Sequence, residues 1–121
     1  MRPACLIVLV AACTTGSAPA QTPTATTRCA DLEGKTFASL TQGECGLGPD
    51  GPGYCTWHLT FTANDAATTH YSWQHSDYGQ EGEIECDGST VTEVTSGTNT
   101  PQGTYDASTM QLVWEGVTYQ P

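Results

Sequence analysis

Three histidines, His58, His70 and His75, and thirteen carboxylates are the side chains here that can ligate a metal or move a proton. If the stretches around residues 58 and 70 pair as a hairpin, His58 and His70 become diagonal neighbours on its outward face. Two imidazoles joined by a carboxylate would hold a transition metal. No third ligand has matching spacing, so surface histidines among threonines is the favoured reading. His75-Ser76-Asp77 sets the residue types of a hydrolase triad side by side. Consecutive strand side chains point to opposite faces, so His75 and Ser76 cannot form that relay. The sequence has no Gly-x-Ser-x-Gly, no Walker loop and no dinucleotide fingerprint. Glu81, Glu83, Glu85 and Asp87 recur at alternate positions, about 7 Å apart on one strand face. Calcium requires six or more converging oxygens, which one row of parallel carboxylates does not supply. A solvated face that discourages edge pairing fits them better. These patterns yield no catalytic residue, no metal site and no cofactor.

The cysteines carry clearer chemistry. Cys29, Cys45, Cys55 and Cys86 lie in the aromatic-rich part of the chain. Their spacings contain no Cys-x2-Cys pair, which disfavours zinc. An even number in an exported chain reads as two disulfides, with three pairings open. Cys45 and Cys55 flank the Gly/Pro segment Gly46 to Gly53, which favours a local clip and leaves Cys29 with Cys86. Cys55 with Cys86 shares inward parity, but those strands would be two apart unless the sheet curls strongly.

Alternation defines the elements that carry these residues. Cys55, Trp57, Leu59 and Phe61 alternate with Thr56, His58, Thr60 and Thr62. Asn64-Asp65 marks a turn; Tyr71, Trp73 and His75 then alternate with polar residues. Gly79 to Gly82 marks the next turn, and Ile84 and Cys86 follow on the strand of the carboxylates. Shorter runs lie near Val91 to Thr95, Gly103 to Tyr105, Met110 to Trp114 and Val117 to Tyr119, with Glu115-Gly116 as a tight turn. No stretch has helical periodicity. The expectation is an all-β fold: an antiparallel meander of seven or eight short strands, closed as a small barrel or strongly curled. From Cys29 onward only twelve of 93 residues are Leu, Ile, Val or Phe. Trp57, Trp73, Trp114 and Tyr71, all of inward parity, must therefore supply much of the core. If the barrel were hollow, the same rings would line an apolar or glycan-stacking pocket.

Leu32-Glu33-Gly34-Lys35-Thr36-Phe37 resembles the first strand of lipocalin-like (calycin) barrels, where a Gly precedes a Trp by two positions. Here Thr36 holds that place, with Phe37 after it. No Arg or Lys follows Lys35 to match the late Arg of those barrels, so the resemblance implies architecture and no ligand site.

The first residues are of another kind. Leu6 to Ala12 is an apolar run after Arg2, too short for a permanent membrane span. Val10-Ala11-Ala12-Cys13 resembles the lipobox of bacterial lipoproteins. The resemblance implies a signal peptide over 1–12, acylation of Cys13, and anchoring in membrane lipid, at the outer membrane or cell surface. Ala18-Pro19-Ala20 offers the alternative of an ordinary signal cleaved after Ala20, giving a soluble secreted or periplasmic product. Residues 13–28 read as a flexible Thr/Pro/Ala tether and 29–121 as a single β domain. A net charge of -10 excludes electrostatic binding of nucleic acid. The expected role is a non-enzymatic binding or interaction module of the envelope, its protein or small-ligand partner unknown. The alternatives are a small-ligand carrier with an aromatic-lined pocket, or a metal-dependent enzyme.

Overall fold

Threonine and aromatic residues in alternation favour extended chain, because branched and ring side chains pack well on a pleated surface. The computed structural model describes residues 27–121 and resolves ten strands there. They are β1 (Thr36–Ser39), β2 (Gly43–Gly48), β3 (Gly51–Cys55), β4 (His58–Ala63), β5 (Thr69–His75), β6 (Tyr78–Asp87), β7 (Thr90–Glu93), β8 (Thr100–Asp106), β9 (Gln111–Trp114) and β10 (Val117–Gln120). Eight form a closed barrel in the order β1-β10-β9-β8-β7-β6-β5-β4. Every pairing is antiparallel, and β1 closes the barrel by pairing with both β10 and β4. Closure removes the free edges that an open meander would leave. The expected signal peptide and most of the tether, with Cys13, lie outside the described residues.

Parity sorts the side chains as the alternation requires. Phe37, Leu59, Phe61, Tyr71, Ile84, Val91, Leu112, Trp114 and Tyr119 are buried in one cluster. Phe37 meets Phe61 and Tyr105 edge-on at 5.6 and 6.0 Å, and Trp114 meets Tyr71 at 4.8 Å and Phe61 at 6.2 Å. Such edge-to-face ring pairs add to the area they bury. These rings fill the interior that a richer aliphatic supply would otherwise occupy.

Four segments depart from the sequence expectation. Gly79 to Gly82 is not a turn but part of β6, its glycines lying against Trp73 and Tyr71 of β5 where a Cβ would crowd them, and the turn is Ser76-Asp77. The alternating run from Cys55 to Thr62 is split, β3 ending at Cys55 and β4 starting at His58. Cys29 to Lys35 is a turn rather than the start of a strand. Leu32 N–H donates to the Cys29 carbonyl and Lys35 N–H to the Leu32 carbonyl, and Gly34 has φ +78°. The turn drives Leu32 fully into the core and plugs one end of the barrel. The Gly/Pro segment expected as a loop is instead the β2–β3 hairpin, a separate two-stranded sheet. Glycine there tolerates the conformations a tight hairpin needs: Gly46 and Gly51 have φ +125° and +118°. The expected tight turn at Glu115-Gly116 joins β9 to β10, both residues having positive φ.

The register places the turns at two ends. The Leu32 plug, Asn64 to Thr68, Gly88-Ser89 and Ala107 to Met110 lie at one end. The β2–β3 hairpin, Ser76-Asp77 and Glu115-Gly116 lie at the other. Thr27 enters by pairing with Cys86, near the plugged end. The chain therefore arrives at one end of the barrel and displays its detached hairpin at the other.

One disulfide is formed, Cys29–Cys86, with a sequence separation of 57. It fastens the plug to β6. The second expected bridge is not closed: Cys45 and Cys55 are free thiols joined by a hydrogen bond. The Cys55–Cys86 alternative fails because β3 ends at Cys55 and never enters the barrel.

Candidate functional site: the aromatic mouth and the exposed hairpin

The inward face of β5 and β6 continues past the filled interior to the hairpin end. Pairing sets His75 opposite Tyr78 and Trp73 opposite Gln80. Trp57, just before β4, is tied in place by Ser39, whose Oγ accepts from Trp57 N–H at 3.0 Å and whose N–H donates to the Trp57 carbonyl at 2.9 Å. Four rings consequently meet at this mouth. Trp57 and Trp73 touch edge-on at 5.2 Å. The His75 ring lies nearly parallel to Trp57 at 5.8 Å, tilted against Tyr78 at 5.5 Å, and edge-on to Trp73 at 5.0 Å. Trp73 Nε1 donates to the Tyr119 hydroxyl at 3.1 Å, which ties the mouth to the core below. Burial raises the Tyr119 pKa, and that donated bond partly offsets the rise. His75 Nδ1 is buried without a partner among the described residues.

The hairpin roofs part of this cluster. Trp57 Nε1 donates to the Glu44 carbonyl at 3.2 Å, and the indole lies so close to Gly43 that a Cβ there would overlap the ring. Beyond that contact the hairpin is solvent-facing. Leu47 is 89% exposed and Tyr54 58%, with Leu40 beside the hairpin at 56%. Of the five large apolar side chains open to solvent among the described residues, these three are the most exposed.

The sequence-derived candidates fall elsewhere. His58 pairs with Gln74 and His70 with Thr62, so the two histidines are four residues apart along the hairpin and are not diagonal neighbours. His70 instead stands across from Glu83. His75 points into the mouth while Ser76 occupies the turn with φ +50°, and the triad types diverge as strand geometry requires. On β6, Glu81, Glu83 and Glu85 share the outward face, and Glu83 accepts from Asn64 Nδ2 at 2.8 Å. Among the described residues no three metal-binding side chains converge.

Two polar constellations were not legible in the sequence. Tyr71 donates its hydroxyl to Glu93 Oε1 at 2.9 Å, and Gln102 Nε2 donates to Glu93 Oε2 at 2.8 Å. Burial first, then this bond to a carboxylate, pushes the Tyr71 pKa up. Tyr71 and Glu93 meet across β6, where Gly82 leaves the room between them, and Gln102 joins from β8 beside β7. At the opposite end a rim cleft of about 560 Å³ is lined by Asp31, Ser89, Tyr105, Asp106 and their neighbours. The Asp106 carboxylate is already engaged there by the Ser108 hydroxyl at 2.6 Å and its N–H at 2.9 Å, which hold its pKa down.

Comparison with protein-family models, with curated proteins and with solved structures yields no match.

Proposed function

We propose that this protein is an exported, lipid-anchored binding module of the bacterial envelope, engaging a protein partner through the β2–β3 hairpin. The observation that carries the reading is the contrast between a filled barrel and a detached hairpin exposing Leu47 and Tyr54. An interior packed with Phe37, Phe61, Tyr71 and Trp114 leaves the lumen no room for the carried ligand of a hollow barrel. A closed eight-stranded antiparallel barrel supports the architectural likeness to calycins, with Phe37 in the core just after Thr36. The polarity of the molecule supports the anchor. Thr27 enters at the plugged end, so a tether acylated at Cys13 would hold that end toward the membrane and turn the hairpin outward.

A photo-cross-linking residue at position 47 tests the docking surface, with the same residue at position 81 on the barrel wall as control. Discrete cross-links from 47 that are absent from 81 are expected, and equal labelling would overturn the reading. Cys13→Ser tests the anchor: the protein should lose its acyl mass and leave the membrane fraction. Unchanged retention would reject it.

The aromatic mouth favours a second reading, a small ligand stacked on Trp57, Trp73 and Tyr78 outside the lumen. Quenching or a blue shift of tryptophan fluorescence on titration with envelope sugars would support it.

A further inference from the structure

The exposed hairpin holds the two free thiols among the described residues. Cys55 ends β3 opposite Gly43, and Glu44 pairs with Tyr54. The register then slips before Leu47 pairs with Pro52, so Cys45 sits in a bulge of β2. A Cβ added at Gly53 would lie 4.0 Å from Cys45 Sγ, so the glycine leaves the space beside that sulfur open. The two thiols share a hydrogen bond and both are partly exposed. Gly43, Gly46, Gly48, Gly51 and Gly53 make the surrounding backbone easy to adjust. The hairpin is also a sheet of its own, so small movements in it need not disturb the barrel ladder. The contrast is with Cys29–Cys86, whose Cys29 is 2% exposed beneath the plug.

We propose that Cys45 and Cys55 form a thiol–disulfide exchange site, a redox couple that closes and opens on the exposed hairpin independently of the Cys29–Cys86 bridge. The bond to Cys55 pushes the Cys45 thiol pKa up to about 11. In the proposed exchange Cys55 attacks first and Cys45 resolves. The Cys55 thiolate attacks one sulfur of a protein or low-molecular-weight disulfide. That S–S bond breaks, one thiolate leaves, and a mixed disulfide forms on Cys55. Cys45 then gives its proton to solvent and attacks the Cys55 sulfur, expelling the second thiolate. In sum, the two cysteines lose two electrons and two protons, and the external disulfide becomes two thiols. A reduced dithiol reverses the sequence. Closure locks Leu47 and Tyr54 inside the ring that Cys45 and Cys55 close, and so stiffens the segment offered to a partner. That consequence for docking rests on the function proposed above; the exchange itself does not.

The test places the full exported protein in a series of glutathione/glutathione disulfide buffers, followed by acid quench, alkylation and peptide mass spectrometry. The Cys45–Cys55 disulfide should open at a reductant-to-oxidant ratio at least tenfold lower than Cys29–Cys86. Near-ultraviolet circular dichroism should hold steady across that interval, while amide exchange in residues 44–54 speeds up. Cys45→Ser should accumulate glutathione on Cys55. Persistent thiols or stable adducts in the unsubstituted protein, or opening of both pairs together, would overturn the proposal. Cross-linking from position 47 in each redox state reads the docking consequence separately. A changed yield supports it, and equal yields with normal exchange reject the gating alone.

Discussion

Removing the Cys29–Cys86 bridge tests the energetic logic of this fold most directly. The bridge closes a loop of sequence separation 57, which by the chain-entropy relation restricts the unfolded state by about 4 kcal/mol. A small domain has a net stability of about 5–15 kcal/mol, so the bridge is a large share of it. For a domain near 95 residues each kcal/mol moves Tm by about 4–8 °C. The double variant Cys29→Ala/Cys86→Ala should therefore melt about 16–32 °C below the oxidised wild type. Differential scanning calorimetry gives Tm, and urea unfolding gives the midpoint and slope. The backbone contacts beside the bridge do not depend on its sulfurs. Cys29 N–H still has the Thr69 hydroxyl at 2.8 Å, and Thr27 still pairs with the backbone of position 86. A drop of this size would thus be a property of the unfolded chain. The control is Cys45→Ala/Cys55→Ala, which opens no loop when the pair is reduced and should leave Tm within a few degrees. A Cys29→Ala/Cys86→Ala protein melting within about 5 °C of wild type would refute the argument, since the barrel would then be self-sufficient.

Other outcomes follow from packing and charge. Trp114→Ala should cost about 3–5 kcal/mol in urea unfolding, because its ring is 3% exposed and packs on both Phe61 and Tyr71. Gly103→Ala should be as damaging despite its small size, since a Cβ there would collide with the Val113 carbonyl on β9; thermal melting of the variant checks this. Asp65 is held below the ordinary carboxylate value of 3.8, chiefly by the Ala67 N–H and then by the Thr68 N–H. Its contribution is present above that unfolded value and is lost as the pH falls through the lowered folded value. An NMR titration should place the Asp65 midpoint below 3.8, and Asp65→Asn should remove that acid-side step from the stability profile.

The class of the fold, most of the inward set of side chains and the reliance on rings were legible from alternation, the exception being Cys55, which ends on the detached hairpin. A period of two says which residues share a face wherever the chain is extended, and the poverty of Leu, Ile and Val obliges Phe, Trp and Tyr to fill the centre. Turn chemistry was legible where two residues decide it, as at Glu115-Gly116. The Gly/Pro segment from 46 to 53 misled because glycine weakens strand propensity, yet the two chain segments pair once the barrel holds their ends. Closure itself belongs to the tertiary structure. Only it pairs β1 with β10 and sends Leu32 into the open end, whereas Tyr71, Glu93 and Gln102 meet through the register of β5 to β8 and the bare Gly82 between them. The same holds for the aromatic mouth and for the spacing of His58 and His70, which depend on register. Periodicity reports the face a residue takes; it carries no information about which distant residue stands opposite, and that pairing decides every site on this molecule.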